Sequence, residues 1–328
     1  MMTVMHAIQA LMNELVDYAG LFPPASLEME PTVRNYAGYR ESHAAPMLGR
    51  LIVPVSRFEE FDRAAADLLP PVPDAESADE DPDPWVISAL VSSAADVEAV
   101  ERDLEAIDAF NDRHASEGGG AAIVDTIELP APDGDSIDAV LDLLDDDIYP
   151  YFELDWRNDV RGSIAAIAGL DAAAKIRTGG VTADAHPGVE PLAAFIEACR
   201  NAEVPFKATA GLHHPVRAEQ ASVGAKQFGF LNVFLGALLF HAGRIDGAGL
   251  RDVLAEEDPA AFIADNNTMG WRMSRVGVPE ILEIRSRFAH AFGSCSFTEP
   301  LDDLVTLGLL DAAGTSTLES TDDGDGSK

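Results

Sequence analysis

Apolar runs bounded by turn residues alternate along this chain with segments of helical periodicity. The apolar runs predict buried strands at Leu48–Val55, Trp85–Ser92, Ala121–Leu129, Ile148–Asp155, Ala173–Thr178, Pro205–Ala210 and Phe292–Phe297. Apolar positions three and four residues apart predict helices at Phe58–Leu69, Ala94–His114, Ser136–Leu144, Asp159–Ala168, Glu190–Asn201 and Pro279–His290. Strand–helix units repeated in this way predict a parallel sheet.

The number of units favours a closed (β/α)8 barrel of the TIM type within an α/β fold. An eighth strand is expected inside Phe228–Phe240, an apolar segment that also fits one buried helix. Such a barrel takes about 250 residues. An open doubly wound sheet is the alternative, but no Gly-rich phosphate-binding fingerprint follows the first predicted strand. The segment Ala260–Ser274 predicts a small hairpin with its turn near Asn266.

The chain divides into three parts on this basis. We expect residues 1–46 to form an N-terminal helical extension packed on the barrel, residues 47–312 to form the barrel, and residues 313–328 to be a disordered acidic tail. The Pro-rich acidic segment Pro70–Pro84 is interpreted as a loop. The segment Asp17–Ser26 (DYAGLFPPAS) could close the bottom of the barrel or fold over its mouth, and we favour a structural plug.

Composition narrows the class of partner. Of 328 residues, 57 are acidic and 22 are basic, which gives a formal charge of -35 and disfavours nucleic acid or an anionic membrane. Neither a long apolar run nor a basic, apolar leader is present, so we expect a soluble cytoplasmic protein. Cys199 and Cys295 are too few for a disulfide framework. We expect a small anionic molecule as partner and no cofactor; a divalent metal and a homo-oligomer both stay open.

Lysine is scarce in this chain. It occurs at four positions, Lys175, Lys207, Lys226 and Lys328, and the other basic residues are arginine. A large acidic excess with little lysine resembles the proteins of salt-loving archaea that keep concentrated salt in the cytoplasm, where surface charge is strongly screened. Each lysine that remains therefore needs a reason.

Two lysines stand near the ends of consecutive strands, where TIM barrels carry their chemistry. Lys175 in KIRTGG and Lys207 in FKATAG are 32 residues apart, one strand–helix unit, so we expect their ammonium groups to lie close together. A second cation in a desolvated site favours a neutral, nucleophilic amine. The alternative is that both lysines anchor an anion or pair with buried acids.

The other catalytic candidates are acids and a histidine. Glu153 and Asp155 in YFELDW share one strand face and could move protons, bind a divalent metal or hold the lysines in place. Glu128 is a weaker third acid. His213, in GLHHP, could act as acid or base or stabilise a turn. Cys295 is interpreted as a small buried hydrophobe. The candidate substrate-binding residues, which offer a cation, hydrogen bonds or a close backbone approach, are Arg177, Thr178, Gly179, Gly180, Thr209, His214, Asn232, Ser294 and Ser296.

The motifs YAGLFPPA, KIRTGG, FKATAGLHHP and FGSCSF resemble those of a bacterial and archaeal family to which we attach no activity. The pair KIRTGG and FKATAG is also distantly similar to class I aldolases of the deoxyribose-phosphate type. That resemblance implies a Schiff base on Lys175 and a neighbouring role for Lys207. It departs from the aldolase pattern at Arg177, which replaces a small residue, and at GLHHP, which replaces a phosphate-binding glycine turn. The aldolase acid has no clear match, and Glu153 or Asp155 would have to serve.

Three functions follow from these residues. The first is a Schiff-base lyase or aldolase that acts on a small anionic carbonyl metabolite. The second is a divalent-metal enzyme that uses Glu153, Asp155 and His213 or His214 as ligands. The third is a ligand-binding barrel without catalysis, in which the polar strand ends form ion pairs.

Overall fold

The computed structural model describes residues 6–72, 83–116 and 119–311. Its strands, in chain order, are β1 (Val16–Tyr18), β2 (Leu48–Pro54), β3 (Trp85–Leu90), β4 (Ala122–Pro130), β5 (Tyr149–Leu154), β6 (Ala173–Arg177), β7 (Phe206–Thr209), β8 (Ala218–Gln220), β9 (Ala225–Gln227), β10 (Phe262–Ala264), β11 (Thr268–Trp271), β12 (Ser274–Gly277) and β13 (Ala289–Ser294). The first seven and β13 are parallel and close into a barrel in which β1 pairs with both β2 and β13. The predicted TIM-type fold is confirmed.

Helices follow each barrel strand. They are α1 (Ala7–Met12), α2 (Met29–Arg40), α3 (Phe58–Ala65), α4 (Val97–His114), α5 (Gly134–Leu141), α6 (Arg161–Ile167), α7 (Val189–Ala202), α8 (Gly236–His241), α9 (Gly247–Ala255), α10 (Val278–Arg287) and α11 (Thr298–Thr306). Their apolar faces pack on the outside of the sheet in one continuous core. The long connection between β7 and β13 also holds the pair β8–β9 and the antiparallel sheet β10–β12, which contains the predicted hairpin.

The eighth strand is not where the sequence predicts it. Phe228–Phe240 contains no strand: a π-helical turn at Leu231–Leu235 leads directly into α8. Every residue of this segment is buried, so the one-sided periodicity that marks a surface helix is absent. The strand that closes the barrel is β1, whose three residues are too short to show a pattern.

The predicted boundary at residue 46 is therefore wrong as a boundary of the barrel. Residues 1–46 contain α1 and α2, but β1 lies between them and is part of the barrel wall. The last strand, β13, begins three residues earlier than the predicted strand Phe292–Phe297. The predicted tail 313–328, and residues 73–82 of the predicted acidic loop, lie outside the described residues.

The interior of the barrel carries charge. In most TIM barrels, branched apolar side chains fill this space. Here Asp17, Glu128, Lys175 and Lys207 are all buried, each with no more than 4% of its surface exposed. These residues come from β1, β4, β6 and β7, so the barrel brings together side chains that are far apart in the sequence.

Candidate functional site

Strand register sets the positions of the two lysines. Lys175 of β6 is the direct partner of Lys207 on β7, and on its other side it is the partner of Glu153 on β5. Partners in neighbouring strands point to the same face of a sheet, which for these three residues is the barrel interior. The prediction that the two lysines lie side by side is confirmed.

Lys207 lies deepest and is sealed among acids. Its Nζ donates hydrogen bonds to Asp17 Oδ2 and, at 2.5 Å, to Glu128 Oε1. The Ser88 hydroxyl donates a further hydrogen bond of 2.6 Å to the same Glu128 oxygen. The ring of Tyr151 lies beside Lys207, with its centroid 5.2 Å from Nζ. The side chain of Lys207 is 1% exposed, so no ligand reaches its amine without a rearrangement.

Lys175 lies one step nearer the mouth of the barrel. Its Nζ is 2.7 Å from Glu128 Oε2 and 2.7 Å from Glu153 Oε2. Glu153 in turn lies 3.2 Å from Arg177 Nε through its other oxygen. Glu128 Oε2 is buried, and the Lys175 ammonium is its partner.

Acids and bases thus alternate from the barrel interior to the mouth, and Glu128 joins the two lysines. Burial disfavours an ionised Glu128, but the ammonium groups of Lys175 and Lys207 outweigh burial and hold its pKa well below the usual range. The pKa of Glu153 is lowered by the same balance, with Lys175 and Arg177 as the cations. Burial opposes the charged form of Lys207, yet Asp17 and Glu128 raise its pKa. Glu128, Glu153 and Lys207 are therefore ionised at neutral pH.

A cavity of about 360 Å³ opens above this network at the carboxyl ends of the strands. Lys175 and Glu128 form part of its floor, and Arg177 lies on its wall. The rest of the lining is largely apolar and includes Ile52 and Leu90. A few polar groups set in apolar walls are typical of a cavity that binds a small molecule.

The segment Asp17–Ser26 lies at the mouth rather than at the bottom of the barrel. Asp17 is part of β1, while Phe22 and Pro23 line the cavity. The segment therefore supplies both an acid of the charged network and part of the cavity wall. The opposite end of the barrel carries a different ion pair, in which Arg50 Nη2 lies 2.6 Å from Asp125 Oδ2.

The turns after β6 and β7 pack directly against each other. Thr178 is buried, and its hydroxyl donates a hydrogen bond of 2.5 Å to the carbonyl of Ala210. A Cβ on Gly179 would lie 2.7 Å from the Cα of Gly211, so this contact requires glycine. Gly179, Gly180 and Thr209 line the cavity, whereas Thr178 holds the two turns together.

The histidines and Asp155 do not converge on Glu153. His213 lines the cavity, and its Nδ1 is 3.1 Å from Glu299 Oε2. His214 is held by Asp303, with 2.6 Å between Nδ1 and Oδ2. Asp155 is exposed just beyond β5 and accepts hydrogen bonds from Arg157 and Asn158. The ligand set required by the metal hypothesis is not brought together.

Three other candidates bind the protein itself. Asn232 Oδ1 accepts the N–H groups of Arg217 and Gly229, and its Nδ2 donates to two carbonyls at the end of α9. Ser294 donates a hydrogen bond of 2.7 Å to the carbonyl of Ser296. The hydroxyl of Ser296 accepts the N–H of Glu299 in the first turn of α11. None of the three lines the cavity among the described residues.

The sequence does not single out Asp17, gives Glu128 only as a weaker third acid and indicates that Cys295 is a buried hydrophobe. Asp17 interrupts an apolar stretch, LVDYAG, and Glu128 does the same in TIEL; an acid inside an apolar run was the available signal. Of the two acids favoured from the sequence, Glu153 has its Oε2 2.7 Å from Lys175 Nζ, while Asp155 pairs with Arg157 outside the network; Glu128 contacts both lysines. Cys295 is 9% exposed and lines the cavity.

Within residues 6–72, 83–116 and 119–311, no three His, Cys, Asp or Glu side chains are grouped as metal ligands. The helices of that same part of the chain are each too short or too polar to cross a membrane. No protein-family model matches the chain, and no curated protein sequence matches it significantly.

Proposed function

We propose that this protein is a Schiff-base-forming barrel enzyme, a lyase of the class I aldolase type, that acts on a small anionic carbonyl compound. The observation that carries the proposal is the position of Lys175. It borders the cavity, while Lys207, its direct strand partner, is sealed beneath it and shares Glu128 with it. One amine is thus presented to a ligand and the other holds the acid below.

Imine formation at Lys175 is compatible with the charges around it. Glu153 Oε2, 2.7 Å from Lys175 Nζ, accepts one proton as the amine attacks, and because the pKa of Glu153 is lowered it readily gives that proton back. The amine adds to the carbonyl carbon, and the hydroxyl of the resulting carbinolamine leaves as water with the proton that Glu153 returns. The product is a protonated imine, which carries the same single positive charge as the ammonium it replaces. Glu128 and Glu153 therefore stabilise both states.

The protonated imine then acts as an electron sink. When a bond at the adjacent carbon breaks, its electron pair moves toward the imine nitrogen and an enamine forms. Arg177 lines the cavity, and its side chain is half exposed, so its guanidinium can hold the anionic group of the substrate while Nε keeps its contact with Glu153.

Lysine scarcity supports the same conclusion. A permanently charged guanidinium serves a structural ion pair well, and all but four of the 22 lysine and arginine residues of the chain are arginine. Lysine differs from arginine because it can lose its proton and become a nucleophile. That difference matters at a position that contacts a ligand.

A non-catalytic ligand-binding barrel is the competing function, and one observation favours it. Lys175 is already paired with two carboxylates, an arrangement that a purely structural ion-pair network would also show. The two functions differ in what happens to the amine of Lys175 when a carbonyl compound is present.

Borohydride trapping separates them. The protein, in buffer of high salt, is incubated with a panel of aldehydes and keto acids, reduced with borohydride, and analysed by intact mass and peptide mapping. We expect a single adduct on Lys175, with none in Lys175→Arg, which keeps the positive charge. The exposed Lys226 is the internal control for non-specific reaction. Absence of an adduct on Lys175 across the panel, or labelling no greater than on Lys226, would refute Schiff-base chemistry.

A further inference from the structure

A second cavity, of about 370 Å³, lies beside the first at the carboxyl ends of β4 and β5. Arg177 and Ala185 line both cavities, so the two spaces meet at the connection that follows β6. Lys175 borders the first cavity and Glu153 borders the second. The contact of 2.7 Å between Lys175 Nζ and Glu153 Oε2 is therefore part of the partition between the two spaces.

A single carboxylate separates the amine of Lys175 from the cation at this junction. Glu153 contacts Lys175 Nζ through Oε2 at 2.7 Å and Arg177 Nε through Oε1 at 3.2 Å. The side chain of Arg177 is half exposed, and its two terminal nitrogens donate no hydrogen bond to the described part of the protein. They can therefore bind an anionic group that lies only a few bonds from a carbonyl carbon at Lys175.

Apolar side chains form much of the wall of the second cavity. The large ones among them are Pro130, Pro132, Leu154 and Trp156. The guanidinium of Arg157 lies 4.3 Å from the centroid of the Trp156 ring. Arg157 Nη2 also donates a hydrogen bond of 2.6 Å to the carbonyl of Asp184, which holds the guanidinium against the indole. Trp156 therefore offers a ligand a well-positioned aromatic surface, and little side-chain freedom is lost when a group packs on it.

The polar side chains of the second cavity already have protein partners, apart from the terminal nitrogens of Arg177. Asp155 Oδ1 lies 3.3 Å from Arg157 Nη1, and the hydroxyl of Ser93 donates a hydrogen bond of 3.2 Å to a backbone carbonyl. Glu153 is occupied by the two cations at the partition. A ligand rich in hydroxyl groups would have to compete for these partners, whereas an apolar group leaves them intact. The second cavity therefore suits an apolar group.

We propose that the substrate spans both cavities, with its carbonyl at Lys175 in the first, its anionic group on Arg177 at the junction, and an apolar ring against Trp156 in the second. Its chemical class is an oxo acid in which the carboxylate stands between the carbonyl and the ring. The position of the carbonyl rests on the proposed Schiff-base function. The subsite for the ring rests on the second cavity and on the arginine that the two cavities share.

The test compares 4-oxopentanoate with 2-benzyl-4-oxopentanoate, which has the same carbonyl and carboxylate and adds one apolar ring. For each compound we measure the concentration that gives half-maximal borohydride trapping on Lys175. The ratio of the two concentrations is the result, because it does not depend on the fraction of the protein that is folded. In the wild-type protein we expect the benzyl compound to need an about tenfold lower concentration, which is the lower end of the gain from full burial of a phenylalanine-sized group.

Two variants act on the second cavity and one on the first. Trp156→Ala removes the aromatic surface, and Ala95→Trp fills the second cavity from an exposed position where a larger side chain does not disturb the core. Each should bring the ratio close to one. Phe22→Ala is the matched control, because Phe22 is also a partly buried aromatic residue but lines the first cavity. This variant should keep the advantage of the benzyl compound.

Calorimetry with 3-phenylpropanoate and propanoate repeats the comparison without a carbonyl, so it decides the matter if neither oxo acid is trapped. A tenfold gain from the ring in that case would refute the Schiff-base function and leave the ring subsite standing. Three outcomes overturn the proposal: a ring that gives no gain in the wild-type protein, a gain that survives in Ala95→Trp, and a gain that is lost in Phe22→Ala, which would place the ring in the first cavity.

Discussion

Replacing Lys207 with methionine should sharply destabilise the protein. The substitution keeps most of the side-chain volume but removes the cation that holds Asp17 and Glu128, whose side chains are 2% and 0% exposed. Removal of one partner from a buried ion pair costs about 3–5 kcal/mol, because the remaining charge stays buried without compensation. Asp17 loses its ion-pair partner and Glu128 keeps only Lys175, so we expect a loss near the upper end of that range.

A loss of about 4–5 kcal/mol is a large part of the 5–15 kcal/mol that typically stabilises a domain. It corresponds to a decrease in melting temperature on the order of 10 °C for a chain of this size. Urea denaturation followed by circular dichroism measures the free energy of unfolding directly. Because Lys207, Asp17 and Glu128 are shielded from solvent, added salt should leave this loss of stability almost unchanged.

The pH dependence of the free energy of unfolding provides an independent test of this argument. In the wild-type protein the pKa of Glu128 is lowered, so its contribution is present above the unfolded-state pKa of about 4.3 and is lost as pH falls toward the folded-state value. In Lys207→Met, one of the two cations that oppose the burial of Glu128 is gone, so Glu128 takes up a proton more easily. The difference in stability between variant and wild type should therefore narrow as pH falls from neutrality.

Lys226→Met is the matched control. Lys226 also contacts a glutamate, with Nζ 2.5 Å from Glu257 Oε1, but both side chains are more than two-fifths exposed. Exposed pairs of this kind contribute at most about 1 kcal/mol. If Lys207→Met loses no more stability than Lys226→Met, or if the loss grows on acidification, the buried network does not stabilise the barrel as argued.

Three further predictions concern individual site residues. Asn232→Ala should lower the free energy of unfolding by about 3 kcal/mol, because four backbone groups lose their partner. Borohydride trapping on Lys175 should stay unchanged. Loss of trapping in folded variant protein would instead indicate that Asn232 contacts the ligand. Gly179→Ala should lower the free energy of unfolding, measured by urea denaturation, by about 1–3 kcal/mol, because the new Cβ would meet the backbone of Gly211. The control Gly162→Ala, which has open space around it in α6, should be neutral or stabilising. Arg177→Ala should raise the concentration of pyruvate needed for half-maximal trapping by about tenfold and leave that of acetone unchanged; an equal effect on both compounds would contradict an anion-binding role.

The barrel was predictable because seven of its strands carry strong local patterns. Runs such as LGRLIVP and WVISAL are apolar, bounded by turn residues, and correspond to β2 and β3 within one or two residues. The strand β1 could not be found in this way. Its three residues form a strand because β2 and β13 lie on either side of it, which is a property of the closed sheet and not of the segment.

The lysine pair and its neighbour Glu153 were predictable, but the contacts of Glu128 were not, for a related reason. KIRTGG and FKATAG lie one strand–helix unit apart, so register in a parallel sheet follows from their spacing. Glu128 lies two strands away from Lys175 and three from Lys207 around the barrel, and it reaches both only across the interior. Contacts across a barrel depend on its curvature and on the lengths of the side chains, and neither is a local feature of the sequence.

An arginine at position 175 would balance the charges of Glu128 and Glu153 but could not form a Schiff base. A guanidinium could face Glu128 and Glu153 as the ammonium does, and its greater number of donors suits a carboxylate pair better. It cannot lose its proton at neutral pH, so it cannot attack a carbonyl carbon. The chain favours arginine almost everywhere else, yet it places lysine where the network borders the cavity. Lys175→Arg therefore keeps the positive charge that a structural ion pair requires and removes the amine that a Schiff base requires. If imine chemistry operates here, the variant folds with near wild-type stability and no longer traps any carbonyl compound.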